Sequence, residues 1–220
     1  RMALVLKLAD CMQKSLENGE LFETDFEKCL EIFYQDQQAC SCGAGEPGQE
    51  KAPLGVRYRQ MCFMLEDFQK LEVLRKEWTE LLAETRKQLY ARGDQEYYNI
   101  RERFIAFLDS RREEWNQYGE QLMMFFLYTY FCGAVYDDCI YSKAVLSVFA
   151  VSWIQEILCA VWCEKGDISF ADVVQTAYRC AREIEHSDEN LNLLEELFES
   201  SPVYEQESLT RCILEKGGKR

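Results

Sequence analysis

Two long segments of the chain, at about residues 116–136 and 140–164, are apolar on nearly every side of a helix and are separated by Asp137 and Asp138. A helix without a polar face has to be surrounded by other helices or by lipid. Neither segment contains the roughly 18 to 20 strictly apolar residues that a bilayer requires. We therefore predict that they are the two central helices of a protein that does not enter a membrane.

The remainder of the chain shows the helical spacing of apolar residues almost throughout. Near the C-terminus, Ser169 and Ser187 stand where an N-cap residue begins a helix. For the helix that follows Ser169, the inner face is predicted to contain Val174, Ala177, Tyr178, Ala181 and Ile184. The fold class is therefore predicted to be all-α, with a single domain over residues 1–220. We expect an irregular multi-helix bundle of about eight or nine helices.

Between residues 39 and 56 the composition changes to one rich in glycine and proline, which predicts a surface loop. The last residues, 215–220, are predicted to form a flexible end. Cys40 and Cys42, within the loop, have the spacing of one half of a thiolate metal site, but no histidine or second such pair accompanies them. We favour an incidental pair, predict no metal ligand and leave the role of the two cysteines open.

The net charge and the cysteine content of the chain exclude some classes of protein. The chain has 39 acidic and 25 basic residues and a net charge of −14, which leaves little for binding nucleic-acid phosphates. It has 11 cysteines, an odd number, and its first residues show no leader for export. We expect a cytoplasmic protein with mostly reduced thiols. Most cysteines, including Cys11 and Cys29, lie in apolar helical segments where cysteine acts as a small hydrophobe.

The most polar feature is the junction at residues 182–190, which contains the single histidine, His186. Over residues 183–199 there are seven acidic residues and no lysine or arginine. Carboxylates at this density attract a cation such as a lysine ammonium group, and Asp137 could do the same. The alternative is structural: His186 ends one helix, a serine caps the next, and the acids form a solvated face.

Three stretches resemble the flagellin lysine-N-methylase family: residues 1–9, 116–143 and, most specifically, 181–191. The resemblance extends over roughly 1–38 and 58–200, and it indicates the C-terminal, helical part of such a protein. It implies methylation of surface lysines of flagellin with S-adenosylmethionine and an iron–sulfur cluster. In the family that cluster is held by a cysteine-rich N-terminal region without a counterpart here. We therefore expect this chain alone to ligate no cofactor and to be inactive.

The resemblance also implies a reaction in which a lysine ammonium group is held, deprotonated and methylated. Within the polar junction we predict Glu183 and His186 as the catalytic residues that hold or deprotonate the lysine. Binding of the substrate or the cofactor is predicted for Arg182, Glu185, Asn190 and Asp137. The alternative function is a non-catalytic acidic helical scaffold that binds a partner helix.

Overall fold

The computed structural model describes residues 2–29, 31 and 55–215. Over these residues all the regular secondary structure is helical, which confirms the predicted all-α class. Ten α-helices have both ends within the described residues: α1 (Met2–Glu17), α2 (Val56–Phe68), α3 (Lys76–Thr85), α4 (Asp94–Ser110), α5 (Arg112–Tyr130), α6 (Ala134–Asp137), α7 (Ile140–Lys165), α8 (Phe170–Glu185), α9 (Asp188–Ser200) and α10 (Gln206–Leu214). Residues 26–29 are helical as well. A π-helical turn, Arg86–Tyr90, continues α3.

Two predicted features fall mostly outside the described residues. They are the loop at 39–56 and the C-terminal end at 215–220. The members of these two segments that the structure does describe are Gly55, Val56 and Glu215. The two cysteines of the loop, Cys40 and Cys42, also lie outside the described residues.

Helix α7 forms the centre of the core and confirms one of the two predicted central helices. Of its 26 residues, 19 are buried, and α1, α5, α8 and α9 pack around it. Within the described part of the chain it is the one helix long and apolar enough to cross a membrane, and 89% of its apolar window is buried inside the protein. The surrounding helices therefore cover the apolar surface that a helix without a polar face has to hide.

Helix α5 departs from the prediction of a second central helix. It ends at Tyr130 rather than near residue 136, and its buried residues are Met123, Phe126 and Tyr130. On its other side Phe125 is 48% exposed and Tyr128 is 74% exposed. Because α7 already occupies the centre, α5 packs on it through one face and leaves the apolar side chains of the opposite face uncovered.

A buried carboxylate, Glu156, interrupts the apolar surface of α7. Its Oε1 atom accepts hydrogen bonds from Arg57 of α2 at 2.7 Å and from Arg101 of α4 at 2.8 Å. The hydroxyls of Tyr90 and Tyr97 donate to the same carboxylate at 2.8 and 3.1 Å. Burial would raise the pKa of Glu156, but the charges of the two arginines hold it below its usual value. We call these five residues the Glu156 cluster.

Candidate functional site

The structure divides the predicted junction at 182–190 between the interior and the surface. The side chain of Glu183 is fully buried, and its Oε2 atom accepts a hydrogen bond from the backbone N of Leu74 at 3.0 Å. The other carboxylate oxygen lies 3.8 Å from Nη2 of Arg182. The carboxylate of Glu183 therefore satisfies a backbone donor in the connection between α2 and α3.

Asn190 joins the same connection to the start of α9. Its Oδ1 accepts from the backbone N of Glu72 at 2.7 Å, and its Nδ2 donates to the backbone oxygens of Glu72 at 3.0 Å and Glu183 at 2.9 Å. The predicted N-cap is confirmed, because Oγ of Ser187 accepts from the backbone N of Asn190 at 3.1 Å. Both ends of the buried amide are thus engaged with backbone groups, so Asn190 positions these helices.

Asp137 has a charge partner away from this junction. It forms an ion pair with Lys143 at 2.8 Å, and Lys143 also pairs with Glu195 of α9. Burial would raise the pKa of Asp137, but hydrogen bonds from Lys143 and from the backbone N of Cys139 hold it below its usual value. The structure therefore gives Asp137 a lysine of the protein itself as its partner.

The half-buried Arg182 and the exposed His186 lie at one end of an open groove between α5 and α8 that we call the α5–α8 groove. His186 is exposed and follows the last residue of α8, Glu185. The guanidinium of Arg182 stacks over the ring of Tyr178, with Cζ 5.3 Å from the ring centroid. The two side chains bring a cation and a titratable imidazole to an otherwise apolar surface.

The α5–α8 groove has a volume of about 390 Å³. From α5 it is lined by Tyr118, Gln121, Leu122 and Phe125. From α8 it is lined by Phe170, Val173, Val174, Ala177, Tyr178, Ala181 and Arg182. The rings of Tyr118 and Phe170 lie 5.5 Å apart across the groove, so the two helices share aromatic contacts and still leave space for another molecule.

The prediction for the inner face of α8 is partly wrong. Ala181 and Ile184 are buried as predicted, but Val174 is 44% exposed and Tyr178 is 56% exposed, and both line the groove. The apolar face of α8 is wider than the part of the helix that packs against the core. The sequence does contain a signal for this, because Phe170, Val174 and Tyr178 follow each other at four-residue intervals and form a second stripe beside the buried one.

Helix α5 separates this groove from another. No charged residue occurs from Gln121 to Tyr136, a run of 16 residues. Against α1, the helix forms a second cavity of about 310 Å³, lined by Val5, Leu8, Ala9, Met12, Met124, Leu127, Tyr128, Phe131 and Cys132. The helix is thus an apolar ridge between two apolar grooves, and contiguous exposed apolar surface of this kind is typical of a binding surface.

A metal site requires several donor side chains brought close together. Over residues 2–29, 31 and 55–215 there is no group of three or more His, Cys, Asp or Glu side chains placed to hold a metal ion. An iron–sulfur cluster takes four cysteine thiolates as a rule. The cluster implied by the resemblance therefore does not fit the described residues.

One of the comparisons with known proteins gives a match over most of the chain. The family model for the FliB lysine N-methylase C-terminal domain matches residues 1–211, which extend from α1 into α10. The searches of the curated proteins and of the solved structures gave no match. Because the family model covers nearly the whole chain, the protein belongs to the FliB lysine N-methylase family, as the sequence predicted, and contains its C-terminal domain.

Proposed function

We propose that the protein takes part in the methylation of flagellin lysines by binding the protein substrate, with the α5–α8 groove receiving a helical segment of that substrate. The observation that carries the proposal is the open, aromatic-rich groove beside the uncharged part of α5. Monomeric proteins seldom leave such a surface uncovered unless it binds a partner. The proposal includes a cytoplasmic location, where most cysteines are kept reduced.

The dimensions of the groove suit a helix. Its α8 wall extends from Phe170 to Arg182, a separation of twelve residues, or about 18 Å at the rise of an α-helix. This length corresponds to roughly three turns of a partner helix. Such a helix would insert apolar residues at positions i, i+3 or i+4 and i+7 between the exposed rings of the groove.

The charged end of the groove suits a lysine that is to be methylated. Methyl transfer requires the neutral amine, and a nearby positive charge lowers the pKa of an amine. Arg182 supplies such a charge, and His186, exposed beside it, can accept the proton that the lysine loses. In this proposal His186 is the proton acceptor, and Arg182 disfavours the ammonium form.

The other predicted site residues have indirect roles in the proposal. Glu183 and Asn190 hold the helix ends that present Arg182 and His186, because both bind the backbone of the connection between α2 and α3. The binding roles predicted for Glu185 and Asp137 stay predictions. Neither the methyl donor nor the iron–sulfur cluster is assigned to any described residue.

A second candidate function is a scaffold that binds a partner helix without chemistry. One observation favours it: of the two predicted catalytic residues, Glu183 has its carboxylate engaged with the protein's own backbone. A scaffold would use the same groove and the same apolar contacts. The two functions therefore differ in turnover and not in the binding surface.

The complete methylase that contains this domain is the form to test. Phe125→Ser and Tyr178→Ser each remove an exposed ring from the groove, and Phe63→Ser is the matched control, because Phe63 is 53% exposed on α2 and lies outside the groove. Methylation of flagellin is measured by mass spectrometry at varied substrate concentration. About half of each ring is exposed, and this is the apolar area that the substrate would bury on binding. Losing that area should raise KM roughly tenfold to thirtyfold for each groove variant.

Three outcomes are informative. An unchanged KM in both groove variants, with wild-type helicity by circular dichroism, contradicts the proposed binding site. A rise in KM for Phe63→Ser as well would show that the effect is not specific to the groove. Flagellin binding that depends on the groove, without methylation by the complete wild-type protein, would establish the scaffold instead.

A further inference from the structure

Two cysteines from different parts of the chain meet at the surface of α1. Cys11 lies on α1 and Cys29 lies in the helical residues 26–29, and their sulfur atoms are 3.4 Å apart. Both residues are half-buried free thiols. The pair is separated by 18 residues in the sequence and lies outside both grooves, so it is independent of the proposed function.

We propose that Cys11 and Cys29 are a redox-active dithiol that a peroxide oxidises to an intramolecular disulfide. A disulfide has a sulfur–sulfur distance of about 2.05 Å, so the two atoms have to approach by roughly 1.4 Å. Side-chain rotation supplies a movement of this size. The bond would join residues 26–29 to α1 across the turn that contains Gly19, which has a φ of 76°.

The reaction balances with peroxide as the oxidant. One thiolate attacks the O–O bond of the peroxide, which forms a sulfenic acid and releases water or an alcohol. The second thiol then displaces the sulfenic hydroxyl as water and forms the S–S bond. Two thiols and one peroxide thus give one disulfide and two molecules of water, or one of water and one of alcohol. The peroxide is reduced by the two electrons that the sulfurs lose.

Access to the oxidant distinguishes this pair from the other neighbouring thiols. Cys159 and Cys163 are also close, one turn apart on α7, but Cys159 is fully buried. Burial and the hydrogen bond with Cys29 raise the pKa of Cys11. The thiolate of Cys11 is therefore scarce at neutral pH, and we expect oxidation to be slow there and faster at alkaline pH.

The test uses the protein in its native form, treated with hydrogen peroxide, blocked with an alkylating reagent and digested without reduction. Trypsin cuts after Lys7, Lys14 and Lys28, but it leaves Cys29 on the same peptide as Cys40 and Cys42. A second protease that cuts after glutamate separates them at Glu31. We expect residues 8–14 linked to residues 29–31, with a mass 2 Da below that of the two thiol peptides.

The control variants are Cys11→Ser, Cys29→Ser and Cys132→Ser. The first two should abolish the linked peptide, and Cys132→Ser should leave it unchanged, because Cys132 is exposed and has no part in the contact. Dithiothreitol should reverse the product. The proposal is overturned if peroxide oxidises Cys132 while residues 8–14 remain unlinked, or if Cys11 is found linked to Cys40 or Cys42 instead.

Discussion

Arg57 and Glu156 form an ion pair with 2.7 Å between Nη2 and Oε1, and both side chains are almost completely buried. A charge in the interior is stable only when it is paired and hydrogen-bonded, and Glu156 obtains further hydrogen bonds from the rest of its cluster. This pairing explains how α7, the most apolar of the described helices, accommodates a carboxylate. It also joins α2 to α7 at one defined position.

Replacing Glu156 with glutamine should destabilise the protein strongly. The amide cannot balance Arg57 and Arg101, so two buried guanidinium groups lose their counter-charge, and we expect a loss of about 3–5 kcal/mol in the free energy of unfolding. Glu164→Gln, an exposed change on the same helix, is the control and should have little effect. Urea unfolding followed by circular dichroism measures both. A loss below about 1 kcal/mol for Glu156→Gln would contradict the role assigned to the cluster.

Replacing Asn190 with alanine removes three hydrogen bonds to backbone groups. At about 1 kcal/mol for each bond, we expect the free energy of unfolding to fall by roughly 2–4 kcal/mol. Asn192→Ala is the matched control, since Asn192 is exposed on the same helix. If Asn190→Ala leaves stability unchanged and only abolishes methylation, then Asn190 contacts the substrate or the cofactor and its structural role is wrong.

The N-cap of α8 should make stability depend on pH. Hydrogen bonds from Lys165 and from Ser169 lower the pKa of Asp172 from 3.8 to about 2. Because the folded-state pKa lies below the unfolded one, this contribution is complete above about pH 4 and is lost as the pH falls towards 2. We expect Asp172→Asn to be less stable than wild type at pH 6, with a difference that narrows below pH 4 in urea unfolding at a series of pH values. A constant difference would be evidence against this account.

Replacing either of two glycines with alanine should change the stability of the protein, in opposite directions for the two positions. Gly166 ends α7 with a φ of 76°, a conformation that alanine adopts at a cost, and Gly166→Ala should destabilise the protein by about 1 kcal/mol. Gly119 lies inside α5 with open space beside it, so Gly119→Ala should stabilise the protein by roughly 0.5–1 kcal/mol. Thermal unfolding compares the two variants directly. Shifts of the same sign would contradict the conformations described for these positions.

His186→Asn tests the proton acceptor in the proposed function. Because His186 is exposed, we expect the thermal midpoint and the KM for flagellin to stay at their wild-type values. The kcat for lysine methylation in the complete enzyme should fall by a factor of about 100 or more, the usual contribution of a positioned acid–base group. A wild-type kcat would leave His186 as the residue that ends α8, with no part in the chemistry.

Local structure was predictable where neighbouring residues decide it. The capping box of Ser169 and Asp172 and the N-cap at Ser187 depend on groups within one helical turn. Helix α7 was predictable for a different reason, since a 26-residue helix without a polar face has only one stable environment in a protein that folds in water.

The environment of α5 could not be predicted in the same way. Residues 121–136 contain no charged residue, and in this they resemble much of α7. Only one of the two apolar helices can occupy the centre of the core, however. The packing of the remaining helices decides which one does. The same packing leaves Val174 and Tyr178 at the surface of α8. The α5–α8 groove is therefore a product of the tertiary structure.

The helical class, the family and the polar junction at residues 182–190 could all be predicted from the order of the amino acids. The contacts between helices determine that Glu183 is buried against the connection between α2 and α3 while His186 is exposed beside the groove. The reason is geometric: Glu183 lies within the last turn of α8 and faces the protein, whereas His186 is the C-cap residue, one position beyond the end of the helix. Glu183 rather than His186 is buried because Glu183 contacts Leu74, which lies more than 100 positions away in the sequence.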